Sequence, residues 1–298
     1  MSELLRQFPW PKLPSMTVAP VWQGGQFTVA GEARDVLRYD EAESHWSSEL
    51  TGMHEAEAGA NHPIDVASRA LAVRSLERWL PARDALVIDV GCSSGFLLQE
   101  LQQRAPGLAL IGSDYIEGPL HALARQCPGV PLLQFDLRQC PLPDACVHGV
   151  TALNVLEHID DDAAALRHIR RILRPGGVAH IEVPAGPQLY DIYDEHLMHH
   201  RRYTLGQLKQ LAREAGLEIL SATHLGAWIY PAFAWVKRKN RRLLSRPAEE
   251  KKRLVAGQIR QTAQSPLLRL VLKAELAMGR MISYGWGIRC VVVLRRPA

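Results

Sequence analysis

Cysteine is sparse in this chain and carries no pattern: the five residues form an odd set without a Cys-x-x-Cys pair. Such spacing argues against a zinc site and fits a reducing compartment. Between Met1 and Pro20 there is no apolar segment behind a basic start, because Pro9, Pro11, Pro14 and Pro20 interrupt it, so a secretory leader is not expected. The apolar run Trp228–Val236 is too short to span a bilayer. A Gly-x-Gly-x-x-Gly fingerprint is missing where the chain makes its glycine turn, which removes the obvious pyrophosphate cradle and disfavours a nicotinamide dehydrogenase. What is present is bulk: 298 residues, 47% of them hydrophobic, suffice for one large core or one core with an added subdomain. The net charge of +4 selects no partner.

The glycine turn is the segment Val87-Ile-Asp-Val-Gly-Cys-Ser-Ser-Gly-Phe96, an apolar run that meets a carboxylate and then turns through Gly91 and Gly95. Leu86-Val87-Ile88 has the character of a buried parallel strand, and the glycines let a turn bring backbone close to a ligand at the next helix N-terminus. An acid, Asp89, beside an open turn suits a zwitterion with an ammonium, such as the methionine end of S-adenosylmethionine. A second apolar run ends in Ser113-Asp114, with Asp114 lying 25 positions after Asp89. One strand-helix-strand step covers that distance, so Asp114 can accept from ribose hydroxyls. A third run, Leu132 to Phe135, ends in Asp136-Leu137. There a carboxylate can take an adenine amino proton while the next backbone N–H faces a ring nitrogen.

These motifs, with Ala152-Leu-Asn-Val-Leu-Glu-His-Ile159 and Leu173-Arg-Pro-Gly-Gly177 downstream, resemble the class I S-adenosylmethionine-dependent methyltransferases, in their small-molecule branch of methyltransferase type 11/12. The resemblance runs from about Asp84 to Leu225, with a final strand near Ile288 to Leu294. It implies S-adenosylmethionine as cofactor, with Asp89, Gly91 and Cys92 about the methionine moiety, Asp114 at the ribose, Asp136 and Leu137 at the adenine, and Asn154 at the end of the fourth strand, and with Gly95 and Tyr115 also among the cofactor-binding residues. Many relatives carry Asp at the position of Asn154, so a charge-based role is not transferred to it.

Apolar spacing gives an alternating order of elements. Ala72, Leu76, Trp79 and Leu80 recur at helical period ahead of the first core strand, as do Leu120, Leu123, Ala124 and Cys127 between the second and third. The run Asp160-Asp161-Asp162 can cap a helix carrying Leu166, Ile169 and Leu173, and Thr204 can cap another with Leu208, Leu211, Ala212 and Ala215 inward, closed by Gly216. The expected fold is α/β: a Rossmann-like doubly wound, seven-stranded, mostly parallel sheet, with the ligand across the strands' carboxyl ends. Four regions follow: an N-terminal lid over 1–67, the cofactor-binding core over 68–225, a basic amphipathic helical insertion over 226–282, and the last core strand within 283–298.

Acceptor-side residues are expected in three segments. The N-terminal region holds Tyr39, His45, Trp46, His54 and His62, which either form an aromatic lid or pack on the first helix. The loop after the fifth strand carries Asp191, Asp194, His196, His199, His200, Arg201, Arg202 and Tyr203. Methyl transfer is an in-line displacement in which alignment does most of the work and a base need only deprotonate the nucleophile. His199 and His200 are the first candidates for that base, followed by His158. Arg201 and Arg202 either clamp an acidic substrate or pair with Asp191 and Asp194. No metal is assigned, because candidate ligands around His196, His199 and His200 would all come from one short loop without a defined spacing.

The third segment carries the basic excess. Between Gly226 and Ile282 thirteen Lys and Arg stand against three Glu. An aromatic cluster beside them can receive a lipid-linked, phosphate-bearing acceptor or make a peripheral contact with an anionic membrane surface through 228–253. The competing reading is a helical cap whose apolar stripe, Leu267, Val271, Ala274, Met278 and Ile282, packs on the core while its charges stay solvated. Nucleic acid is disfavoured, since no Asn-Pro-Pro-Tyr type motif follows the fourth strand. The sequence thus points to a cytoplasmic methyltransferase, peripheral to the inner membrane face if the insertion touches lipid. It would act on a small-molecule or lipid- or saccharide-linked acceptor, foremost at oxygen. A cofactor-binding protein without activity, or a methyltransferase of nucleic acid or protein, are the alternatives, and oligomeric state is left open.

Overall fold

The computed structural model describes residues 2–40 and 60–298. Its centre is strand β5 (Leu86–Val90), buried at all five positions. Side chains alternate across a strand, and accordingly Leu86, Ile88 and Val90 enter one apolar cluster while Val87 enters another. Both faces are therefore covered, as a parallel sheet requires. On one face lie the helices Pro63–Trp79, Phe96–Arg104 and Glu117–Gln126, through Leu76, Leu98, Leu101 and Leu120. On the other lie Asp162–Ile172 and Leu205–Glu214, through Leu166, Ile169, Leu208 and Ala212.

The remaining strands are β1 (Val21–Trp22), β2 (Phe27–Val29), β3 (Glu32–Arg34), β4 (Val36–Arg38), β6 (Ala109–Asp114), β7 (Leu132–Gln134), β8 (Val147–Leu153), β9 (Leu173–Pro184), β10 (Glu218–Leu225) and β11 (Arg289–Arg295). The main sheet has the order β10-β11-β9-β8-β5-β6-β7-β4. Its pairs from β4 to β9 are parallel, and β11 runs antiparallel to both neighbours. Chain order reverses about β5, whose successors β6 and β7 lie to one side and β8 and β9 to the other. Ligands of such sheets bind outside the strand carboxyl ends at that switch.

Eight strands, not seven, make up this sheet. The extra one is β4, which pairs in parallel with the edge strand β7. In the described part of the N-terminal region β1 to β3 also form a small antiparallel sheet, and Trp10, Trp22 and Phe27 extend the apolar core. Tyr39 donates its hydroxyl to the Pro11 carbonyl at 2.8 Å, a packing role. His45, Trp46 and His54 lie outside the described residues. The first core helix begins at Pro63, slightly ahead of the expected boundary.

Helix ends follow their sequence cues. The Asp161 carboxylate accepts from the Ala164 N–H at 2.8 Å. Thr204 and Gln207 make a reciprocal capping box, side chain to backbone in both directions. Between β10 and β11 the helices Tyr230–Arg241, Ala248–Ala263 and Pro266–Met278 form a cap. The inward face of the last helix differs from the expected stripe. Leu272 and Glu275 are buried, whereas Leu267 is 68% and Met278 45% exposed and Ile282 lies beyond the helix, also exposed. Glu275 sets this rotation, because its carboxylate accepts from the backbone N–H groups of Gly226 (2.6 Å), Ala227 (3.1 Å) and Trp228 (3.0 Å). No described helix is long and apolar enough to cross a membrane.

Candidate active site

The glycine turn after β5 is pinned to the neighbouring strand. Gly91 and Cys92 donate their N–H groups to the Ser113 carbonyl at 2.8 and 2.9 Å, and Ser93 donates to an Asp114 carboxylate oxygen at 2.9 Å. Gly91 and Gly95 both take φ of 73°, the left-handed region that favours glycine. A Cβ at Gly91 would lie 2.5 Å from Val155 Cγ2, and one at Gly95 would lie 2.2 Å from Leu123 Cδ1. Close approach of the protein's own side chains, together with backbone sign, is therefore what requires glycine here.

A cavity of about 970 Å³ opens over these strand ends. Of the residues expected at the cofactor, Asp89, Gly91, Cys92, Asp114, Tyr115, Asp136, Leu137 and Asn154 line it, while Gly95 sits behind the turn against Leu123. Asp89 is buried opposite Thr151 in the strand register and accepts its hydroxyl at 2.7 Å. Burial pushes its carboxyl up to about 7, against the Thr151 bond and with a further push from Asp114. Each oxygen of Asp114 accepts one backbone N–H, from Ser93 and from Ile116 at 2.9 Å. A carboxylate offers about four lone-pair sites, so this geometry suits a vicinal diol. Asp136 is differently placed: Arg138 grips it through its backbone N–H (2.8 Å), Nε (2.9 Å) and Nη2 (2.7 Å). That arginine also reaches Asp160 at 2.6 Å, so Asp136 orders the rim of the cavity. Asn154 takes φ of 56° and accepts Arg289 Nη1 on its side-chain oxygen. The neutral side chain thus meets a cation from the last strand, in place of the charge common at this position.

Across the cavity the loop after β9 organises a second set. Asp194 is fully buried and accepts from His199 Nδ1 and Arg202 Nη1 on one oxygen, both at 2.8 Å, and from Lys237 Nζ on the other at 3.1 Å. Burial opposes its charge, yet the His199 bond and the Lys237 and Arg202 charges hold its carboxyl far below the ordinary carboxylate range. Asp191 accepts Lys237 Nζ at 2.6 Å and forms a capping box with Asp194 at the helix Ile192–His196. An ionised Asp194 can only accept, so His199 carries its proton on Nδ1 and turns the Nε2 lone pair outward. Burial lowers the affinity of His199 for a second proton, in opposition to Asp194. His158 packs edge to face on that ring, with centroids 4.7 Å apart, and burial followed by the charges of His199 and His200 pulls it down to about 3. His200 lies exposed at the cavity edge and donates its backbone N–H to the Glu157 carbonyl at 2.8 Å.

A family model described as a methyltransferase domain matches residues 88–181. A probable S-adenosylmethionine-dependent methyltransferase of Mycolicibacterium smegmatis is 31% identical over 138 residues, 45% of this chain and 52% of that protein. A trans-aconitate 2-methyltransferase of an Azoarcus species is 33% identical over 167 residues, 56% of this chain and 62% of that one. Residues 88–181 thus form a methyltransferase domain of the S-adenosylmethionine-dependent class. The chain spans about half to three fifths of the length of these two relatives. At the level of fold, the domain and its surroundings resemble a Haemonchus contortus phosphoethanolamine N-methyltransferase solved with S-adenosyl-L-methionine. The TM-score is 0.55 at 17% identity, over 86% of this chain and 59% of that one. An S-adenosylmethionine-dependent methyltransferase from Mesorhizobium loti gives 0.50 at 16%, over 78% and 100%.

The fold brings three of the sequence candidates, His158, His199 and His200, to the cavity, but it divides the two arginines. Arg202 pairs with Asp194, whereas Arg201 turns to Asp162 at 3.0 Å. Asp191 receives Lys237 instead, a residue of the basic run expected in solvent that is only 6% exposed. Sequence reasoning did not single out Lys237, Arg289 or Glu157 as site residues. Nothing distinguishes Lys237 from the basic residues around it. Arg289 emerges only from the pairing of β11 with β9, which brings it to Glu182 (3.4 Å) and Asp65 (3.1 Å). Glu157 was legible in principle, as an acid beside His158 after an apolar strand.

Proposed function

We propose that the protein transfers a methyl group from S-adenosylmethionine to a hydroxyl of a small acceptor seated between the methyltransferase domain and the helical cap. The observation that carries this reading is the shared cavity: the strand-end carboxylates Asp89, Asp114 and Asp136 line the same space as His199, whose Nδ1 is held by buried Asp194. S-adenosylmethionine supplies an electrophilic methyl on a sulfonium that departs as a neutral thioether. Asp89 would hold the ammonium, Asp114 the ribose diol, and Leu137, which opens a short 3-10 turn, the adenine edge. The acceptor oxygen forms the new C–O bond as the S–CH3 bond breaks, and its proton leaves on the side of the His199 and His158 rings. Alignment by the walls supplies most of the rate.

The outer wall indicates an acceptor with an apolar body. Ile229, Ala232, Phe233, Val236, Ile259 and Leu268 all face the cavity from the cap, which suits a lipid-linked or otherwise greasy small molecule. Trp228, Trp235, Leu267, Leu270, Met281 and Trp286 are exposed on the cap surface, with Trp235 at 65% and Met281 at 86%. Lys239 lies over Trp235, its Nζ 5.7 Å from the ring centroid, in a run that also holds Arg238, Arg241 and Arg242. Such a surface favours peripheral contact with an anionic membrane, which would bring the acceptor to the mouth. The test is transfer of radiolabelled methyl from S-adenosylmethionine into extracted small molecules and lipids. Label in an organic-soluble product whose new methyl group is an O-methyl ether by NMR supports the reading; a methyl on nitrogen or carbon, or label confined to protein or nucleic acid, overturns it.

A further inference from the structure

Glu157 occupies an unusual position for a carboxylate. It is fully buried, faces the cavity, and neither side-chain oxygen has a hydrogen-bond partner among the described residues. The neighbouring cations are already engaged: Arg202 with Asp194, and Arg289 with Glu182 and Asp65. A buried charge without a partner is unfavourable, and such groups are paired or bind metals. Among the described residues, Glu157, His158 and His199 bring one ligand atom each to within 4.8 Å of one another.

We propose that Glu157, His158 and His199 bind a divalent transition-metal cation of the zinc type, with an open coordination position toward the acceptor. Zinc bonds of about 2.0–2.2 Å place tetrahedral ligand atoms about 3.4 Å apart, so the three side chains need only close by small torsional adjustments. The orientation of His199 is the second observation that points to a ligand. Its Nδ1 donates to Asp194 at 2.8 Å, which fixes the tautomer and turns Nε2 to the cavity. That is the carboxylate–histidine–metal relay by which a supporting acid orients a liganding imidazole. Arg202 and Lys237 in turn hold Asp194 on both of its oxygens. Two imidazoles and one carboxylate favour zinc over magnesium, which prefers oxygen ligands and several waters. Three protein ligands also leave a fourth position, the arrangement of catalytic rather than structural zinc sites.

The set could not arise from one loop, because Asp191 and Asp194 are occupied by Lys237 and Arg202. It draws instead on the turn after β8 and on the loop after β9. Its consequence rests on the methyl-transfer reading, while the binding itself does not: a cation there would lower the acceptor hydroxyl's pKa directly, in place of proton removal by a free imidazole.

The protein dialysed against EDTA, kept reduced with a phosphine, is titrated with ZnCl2 and separately with MgCl2 in a calorimeter. Metal retained after gel filtration is counted by mass spectrometry. One zinc per chain, bound more tightly than magnesium, is expected. Glu157→Gln should weaken zinc at least tenfold, and Asp194→Asn by 10- to 100-fold through the orientation of His199. Glu157→Gln keeps the side-chain shape, and its melting temperature and S-adenosylmethionine affinity, both expected at wild-type values, establish that it is folded. Wild-type protein without stoichiometric zinc, tighter magnesium, or zinc affinity unchanged in folded Glu157→Gln would each overturn the proposal. Failure of the methyl-transfer reading appears separately, as zinc binding retained while S-adenosylmethionine does not bind or no acceptor is methylated.

Discussion

Asp114 anchors the glycine turn through Ser93 and lines the cavity at the strand end. Asp114→Ala should therefore weaken S-adenosylmethionine binding by about 1.5–3 kcal/mol, the range for hydrogen bonds to a charged group, read by calorimetry. Asp89 makes a prediction in pH. Its folded-state carboxyl is raised from 3.8 to about 7, so the unfolded chain ionises first as pH climbs. The stability it contributes is fully present below 3.8 and is lost as pH rises through 7. The urea midpoint should fall between about pH 4 and 7, and Asp89→Asn should fall less steeply. Cofactor affinity should move the other way, rising over about pH 6 to 8 as the carboxylate needed by an ammonium forms; a flat profile would remove Asp89 from that role. Asp89, Asp114 and Asp136 were readable as strand-end acids because each closes an apolar run, a local signal. The grip of Arg138 on Asp136 was not, since an arginine two residues on is equally compatible with a solvated side chain.

Elements reveal where local signals stop. Caps at Asp161 and Thr204 sit where their sequences place them, because capping is decided within a single turn of chain. Strand β4 has three residues and gains its identity from an edge made by residues almost a hundred positions later, which no local pattern carries. The helix Pro266–Met278, near the end of the chain, is rotated from its apparent stripe because buried Glu275 gathers three backbone N–H groups. Glu275→Ala should lower stability by about 3 kcal/mol or more by leaving those donors unsatisfied; a change under about 1 kcal/mol in chemical denaturation would mean the turn finds other acceptors. Lys237 likewise fastens the helix Tyr230–Arg241 to the loop after β9. Lys237→Met would leave Asp191 and Asp194 partly uncompensated, and a loss of about 3–5 kcal/mol in the same measurement is expected from breaking a buried pair.

For the molecule as a whole, the cap couples two surfaces. Its inner side supplies apolar wall to the cavity, and its outer side exposes tryptophan and methionine beside a basic run. Vesicles containing anionic lipid should sediment the protein, neutral vesicles should do so less, and added salt should weaken the interaction as surface charge is screened. Trp235→Ala together with Met281→Ala should reduce sedimentation without altering S-adenosylmethionine affinity, because neither side chain lines the cavity. The layered architecture was legible in the alternation of apolar runs, whereas the closing of the cap onto the loop after β9 is made by Lys237 at Asp191 and Asp194, Lys251 at Glu195, and Val255 and Ile259 against Ile192, residues that look like any others of the insertion in sequence.

Strand β11 fills a slot between β9 and β10, both made earlier in the chain. During synthesis the cap helices must emerge while that slot is still open, and Arg289 reaches Asn154, Glu182 and Asp65 only when it fills. A nascent chain therefore presents an unpaired edge at β9 for the whole time the cap is being made, the condition under which sheet proteins pair with the wrong partner. Completion of the cofactor floor and removal of this hazard are the same event.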